Sequence, residues 1–161
     1  MPTISKLYPC LWFDHNAEDA VAHYLDVFGD GRILETSHYG ENHPDLAGKV
    51  LAIRFELFGQ TVLALNAGPQ FPFTNAISLV VECDDQAEVD RLWSRLTEGG
   101  AESECGWLTD RFGLSWQITP RMLLPLISDP DPAKAARVMA AMMTMRKLDI
   151  ARLQAAADER S

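Results

Sequence analysis

The chain has 161 residues, 47% hydrophobic and 23% charged, the balance of an ordinary globular domain. Its 14 Lys and Arg stand against 23 Asp and Glu, a net charge of −9, which disfavours any nucleic-acid partner. No apolar run approaches the roughly 20 residues that span a bilayer, and "MPTISKLYPCLWF" lacks the parts of a signal peptide. The expected setting is cytoplasmic, with no membrane partner.

Residues 4–13, "ISKLYPCLWF", predict a strand from their apolar, aromatic and branched content. "DHNAEDAVAHYLDVF" predicts a helix with Asn16 as N-cap, acidic residues in the first turn, and Ala20, Tyr24, Val27 and Phe28 on one face. "GDG" at 29–31 stops it, and strands follow at Arg32–Tyr39, Val50–Phe58 and Gln60–Asn66. Phe58-Gly59-Gln60 reads as a tight hairpin, and "GENHPDLAG" as a polar loop.

After the bridge "AGPQFPFTN" the order begins again. Ala76–Cys83 predicts a strand, "DDQAEVDRLWSRLTEGG" a helix, and Ala101–Leu108 and Leu114–Thr119 two further strands joined by "TDRFG". In that turn Asp110-Arg111 reads as a turn pair, and Gly113 as its positive-φ position. An offset of 69 pairs Asn16 with Asp85, Ala20 with Val89, Tyr24 with Trp93 and Gly31 with Gly100, so the two halves read as one pattern used twice. Beyond Pro120 lie "RMLLPLISDPDP", a helix with Asp131 as N-cap and Pro132 at its first position, and a short helix capped by Asp149. Met139, Met142, Met143 and Met145 give this region a pliant packing surface.

Common catalytic signatures are missing. There is no P-loop, no GxGxxG opening a helix after a strand, and no GxSxG elbow. A Rossmann-type methyl donor therefore lacks its usual turn. Cys10, Cys83 and Cys105 have no zinc spacing, and their odd number argues against a disulfide framework. All four histidines fall between positions 15 and 43, none paired at His-x-x-x-His spacing.

The doubled pattern resembles the vicinal oxygen chelate superfamily of glyoxalase I, extradiol dioxygenases and bleomycin-resistance proteins. Within it the chain is most similar to the PhnB-like branch, often named 3-demethylubiquinone-9 3-methyltransferase. The motifs that carry the likeness are "CLWFDHNAEDAVAHY", "FELFGQTVLALNAGPQF", "AISLVVECDDQAEVDRLW", "CGWLTDRFGLSWQITP" and "MRKLDIARL". The resemblance implies an α+β fold: two βαβββ modules (4–68 and 75–120) forming a half-open curved mixed sheet, with a C-terminal helical extension at 121–161. It further implies one domain over 1–161, a ligand cavity on the concave sheet face, and a homodimer.

Metal-dependent relatives carry four His, Glu or Gln ligands on that face. Those positions fall here on Tyr8 or Pro9, on Ala76 or Ser78, near Glu56, and on Gln117. Tyr8, Pro9 and Ala76 are poor ligands, so too few donors remain and no metal or other cofactor is expected. Period-2 alternation places Tyr8, Cys10 and Trp12 on one strand face, where Trp12 offers a flat surface to an aromatic or quinone-like ring; packing under the helix is its other reading. Arg54 and Glu56 share a face as a polar patch or as solvated strand positions, and Cys105 and Trp107 share another, with Gln117 on the neighbouring strand. Together with Ser78 these residues form the expected ligand-binding set. Cys105 is also the one candidate nucleophile, although a reactive thiol needs a cation or helix N-terminus nearby. The function so expected is binding of a small aromatic or hydrophobic metabolite in a metal-free cavity. The alternatives are a metal-dependent enzyme or methyltransferase, and a sequestering protein of bleomycin-resistance type.

Overall fold

The computed structural model describes residues 5–159. The chain divides after Phe73 into two compact units. The first runs β1 (Cys10–Phe13), α1 (Ala17–Phe28), β2 (Gly31–His38), β3 (Val50–Leu57) and β4 (Gln60–Asn66). Its sheet has the order β1-β4-β3-β2, with β1 parallel to β4 and the other pairs antiparallel. The second runs β5 (Ser78–Cys83), α2 (Gln86–Thr97), β6 (Ala101–Glu102), β7 (Trp107–Thr109) and β8 (Ser115–Pro120), in the equivalent order β5-β8-β7-β6. Three helices follow: α3 (Leu123–Ile127), α4 (Pro132–Met142) and α5 (Ile150–Asp158). This is the α+β architecture of the glyoxalase/bleomycin resistance fold. Among the described residues no helix is long and apolar enough to cross a membrane.

In the first unit α1 buries Ala17, Ala20, Val21, Tyr24, Val27 and Phe28. They meet the face of the sheet that carries Leu11, Phe13, Ile53, Phe55, Leu57, Val62 and Ala64, all buried. The period of 3.6 on the helix and of 2 on the strands makes these two stripes match. Each large side chain so buried stabilises the unit by about 1.5–3 kcal/mol. Gly29, at φ 65, ends the helix in the left-handed conformation and donates its N–H to the Leu25 carbonyl. The Phe58-Gly59 hairpin has both central residues at positive φ, 47 and 77, as a two-residue turn matching the strand twist requires.

The repeat is visible in the coordinates. The two helices begin 69 residues apart and end 69 residues apart. Gly31 opens β2 and Gly100 immediately precedes β6, and a Cβ there would stand 2.2 Å from the Glu56 carbonyl oxygen and 2.1 Å from that of Thr109. Only glycine lets those backbones approach so closely.

The N-termini of the two helices are capped differently. Asn16 occupies the N-cap position of α1 but makes no capping bond, and its Oδ1 is buried without a partner. The Ala17 N–H donates instead to Asn66 Oδ1 at 2.9 Å, from the end of β4. In α2, Asp85 caps directly by accepting the Glu88 N–H at 2.9 Å, and Glu88 Oε2 accepts the Asp84 N–H at 2.8 Å.

Three expected strands are shorter than their sequence patterns. The first begins at Cys10, with Pro9 just before it lacking an N–H, and Ile4 lies outside the described residues. The expected strand at Ala76 begins at Ser78. Ala101–Leu108 is broken in two: the Ser103–Gly106 turn separates β6 from β7, with Cys105 at φ 57 and Gly106 at φ 84. Cys105 therefore does not share a strand face with Trp107.

A segment from the C-terminal region holds that turn. The Cys105 and Gly106 N–H groups donate to the Met145 and Arg146 carbonyls, both at 2.8 Å. Gln86, at the start of α2, donates through Nε2 to the Leu148 carbonyl (3.1 Å) and accepts the Ile150 N–H (2.8 Å). Lys147 pairs with Asp90 at 2.8 Å, which together with Gln86 holds the Asp90 carboxyl below its usual range. Beneath this strap Leu123, Val138, Met145, Leu148, Leu153 and Ala157 form a small core of their own.

Candidate functional site

Each sheet has one face covered by its helix and an opposite face, the open face, on which Thr61, Ser115 and Thr119 are nonetheless buried. On the open face of the first unit, register sets the rows. Cys10 lies beside Leu63, Leu63 beside Arg54, and Arg54 beside Glu35; Trp12 lies beside Leu65, and Leu65 beside Ala52. Leu11 and Phe13 turn the other way, into the core. Trp12 thus stands opposite the helix-packed side, half-buried. Its indole Nε1 donates to the Gly68 carbonyl at 2.8 Å, and its ring meets Phe71 edge-on with centroids 4.9 Å apart. Leu63 and Leu65, both half-buried, make an apolar floor beside it.

Arg54 and Glu56 form a polar patch on the same face. Arg54 is 24% exposed and donates through Nη2 to the more exposed Glu35 at 2.5 Å, while Glu56 stands 3.9 Å from Arg32. The Arg54 Nε is buried and has no hydrogen-bond partner. Tyr8 is half-buried and precedes β1 rather than belonging to it. Cys10 is exposed, yet desolvation by neighbouring protein pushes its thiol up, away from the reactive thiolate.

On the open face of the second unit Gln117 lies between Trp107 and Val80, and Ser115 between Thr109 and Ser78. Gln117 Nε2 donates to Ser78 Oγ at 2.9 Å, and Ser115 Oγ donates to Asn75 Oδ1 at 2.8 Å. This face offers a ladder of neutral hydrogen-bonding groups beside one indole. Cys105 stands off it, in the strapped turn, with its thiol 3.6 Å from Met143 Sδ. The other cysteine of this unit, Cys83, is buried beneath α2. Burial first, and Glu88, Asp84 and Asp85 after it, push its thiol up to about 12 despite Arg91.

Two buried polar side chains escaped the sequence reading. Asn66 accepts from Ala17 and also donates through Nδ2 to Glu18 Oε1 (2.6 Å) and to the Val50 carbonyl (3.1 Å). Asp110 is 2% exposed. Its carboxylate accepts the Phe112 N–H (2.8 Å), the Leu114 N–H (3.1 Å) and Trp116 Nε1 (2.9 Å). The turn expected around Asp110-Arg111 is present, with Gly113 at φ 89, and the aspartate is its organising acceptor. Phe71 was missed as well, hidden in a Pro- and Gly-rich bridge.

Similarity to known proteins agrees with this geometry. The family model described as 3-demethylubiquinone-9 3-methyltransferase matches residues 5–119. The chain belongs to that family. This is the PhnB-like branch of the vicinal oxygen chelate superfamily. A PhnB protein of Bacillus cereus, provisionally given the same methyltransferase name, is 33% identical over 72% of this chain and 99% of its own, with a TM-score of 0.66. A protein of Pseudomonas aeruginosa is 24% identical over 73% and 98%, with a TM-score of 0.60. The fosfomycin resistance protein FosX of Listeria monocytogenes shares the fold at 16% identity, over 73% and 92%, with a TM-score of 0.50. No functionally curated protein matches the chain. The family match stops before α3, so the strap and its helices lie outside it.

The metal set of this superfamily does not fit the donors present. Glu56 faces Arg32, Gln117 supplies only its Oε1 because Nε2 donates to Ser78, and Tyr8 and Pro9 offer no firm ligand. Among the described residues no three His, Cys, Asp or Glu side chains gather as a metal site would require.

Proposed function

We propose that this PhnB-like protein binds a small aromatic or hydrophobic metabolite on the open sheet face of its first unit, without a metal. The observation that carries the reading is Trp12. It turns away from the helix-packed core, is fixed by its bond to Gly68, and meets Phe71 edge-on above an apolar floor. Ligand sites are mostly apolar surfaces with a few placed polar groups, and Arg54 and Glu56 supply those here. Tyr8, Cys10 and Trp12 complete this face in the reading. Ser78, Trp107 and Gln117 form the corresponding face of the second unit, and Cys105 contributes no chemistry.

Following the family's habit, the protein is a homodimer, each subunit carrying one such domain over 1–161, and its setting, read from the sequence, is cytoplasmic. Sedimentation velocity tests the dimer.

Calorimetry on the full chain tests the function. Aromatic and quinone-like compounds give micromolar binding that W12A abolishes, whereas divalent metals and S-adenosylmethionine give no heat. A micromolar site for S-adenosylmethionine or for a divalent metal would overturn the reading in favour of methyl transfer or metal chemistry. Saturable tight binding of a drug without turnover would favour sequestration. C105S leaves binding intact, and its loss in that variant would restore the thiol to the site.

A further inference from the structure

Resting on the ligand-binding reading above, we propose that the compound held on the first unit's open face is an aromatic oxyanion. Its ring lies on Trp12 and its carboxylate, phenolate or similar group on Arg54. The two anchors face the same side, because Cys10 and Trp12 stand two residues apart on β1 and the row from Cys10 crosses Leu63 to reach Arg54. Two strand spacings and two residues of rise separate their Cα atoms by roughly 12 Å, a distance that Trp and Arg side chains narrow to the length of one or two rings. Leu63 and Leu65 floor the interval, which suits an apolar body between the two ends.

The charge on this face selects the sign of the ligand. Four ionised side chains meet here: Arg32, Arg54, Glu35 and Glu56. Arg32 and Glu35 are 57% and 63% exposed, whereas Arg54 is 24% exposed, so the less hydrated charge of the Arg54–Glu35 pair is positive. Glu35 sits on the edge strand β2 and moves into water at little cost, leaving the guanidinium to a ligand oxygen. The Arg54 Nε is buried, so the donors that meet a ligand are those of the outer guanidinium fork, Nη2 being released when Glu35 moves away. Planar two-oxygen groups match that fork, and the half-buried setting strengthens the pair. An aromatic cation would find only Glu35, which is exposed and paired with Arg54, and Glu56, which is 28% exposed, faces Arg32 and lies one row further from Trp12 than Arg54 does.

Paired ligands differing only in the anion test this. The full chain is titrated by calorimetry with phenyl-, naphthyl- and indolyl-acetates and with the corresponding neutral acetamides. The best acid binds about tenfold more tightly than its amide. R54Q brings the acid down to the amide's affinity, R54K recovers part of the difference, and E35Q raises the acid's affinity about two- to threefold. Circular dichroism on each variant keeps a folding defect apart from a binding defect. Equal affinity for acid and amide, or an acid preference that survives R54Q, overturns the oxyanion assignment. In that case loss of both ligands in W12A still upholds the aromatic site. If no acid or amide binds the native chain, the ligand-binding reading falls, and this inference with it.

Discussion

Replacing Asn66 by alanine separates two accounts of how α1 begins. On sequence grounds Asn16 is the cap and Asn66 the last residue of a strand. In the structure Asn66 supplies the cap and ties the end of β4 to Glu18 and to the Val50 carbonyl, with 2% of its surface exposed. Loss of an N-cap acceptor costs about 1 kcal/mol. Leaving the Val50 carbonyl without its donor costs about 1–3 kcal/mol. N66A therefore destabilises the protein by about 3 kcal/mol, a lowering of the melting temperature by about 6–12 °C for a chain of this size. N16A changes stability by less than about 0.5 kcal/mol, because its buried Oδ1 has no bond to lose. Urea unfolding followed by circular dichroism measures both variants. If N16A costs more than N66A, the assignment of the cap is wrong.

Three further outcomes follow from buried or bridging groups. D110A removes the acceptor for Phe112, Leu114 and Trp116 and costs about 3–5 kcal/mol in denaturant unfolding, with D110N losing less; a neutral D110A would refute the organising role. Cys83 keeps its proton up to about pH 12 when folded and releases it near its ordinary 9.0 when unfolded. The unfolded chain then binds fewer protons, so stability falls as pH rises between those values, by about tenfold in the unfolding constant per pH unit. C83A removes that share of the slope, and identical slopes in the two proteins would rule the shift out. Q86A frees the segment at Leu148–Ile150 and speeds tryptic cleavage after Arg146 and Lys147 about tenfold, read by mass spectrometry; unchanged cleavage means that Gln86 does not hold the strap.

The sequence made elements legible where periodicity was strong and hid contacts made across distance. Both long helices and the β3–β4 hairpin follow from apolar spacing and turn residues, because those signals are local. Trp12 and Arg54 were legible as candidates through alternation alone. The strand around Cys105 was misread because a strap from residues 145–146 binds that turn, and nothing in "AESECGWL" announces a partner 40 residues away. Asn66 was readable in principle: alternation from Val62 and Ala64 points it at the helix, where an amide must find partners. Asp110 gave less warning, since Asp in a turn is ordinarily solvated and only the Trp116 indole reveals its burial.

The two units solve one problem in two ways, and the difference explains why Asn16 misleads. In each, the strand parallel to the first strand ends beneath the N-terminus of the helix. Phe13 lies beside Asn66 in one unit and Cys83 beside Pro120 in the other. An amide at that strand end reaches the first helical N–H, so Asn16 is relieved of the task. A proline has no side-chain acceptor, so α2 depends on its own Asp85. The frame of strands, helices and close-packed glycines is thus shared, while the end fittings have diverged. The open faces have diverged further: tryptophan, leucines and arginine on the first, serines and glutamine around Trp107 on the second. A repeated frame constrains the packed face of each sheet and leaves the other face free to differ. The two open faces therefore differ in the side chains on which the proposed ligand site depends, with Trp12 and Arg54 on the first and Ser78 and Gln117 on the second.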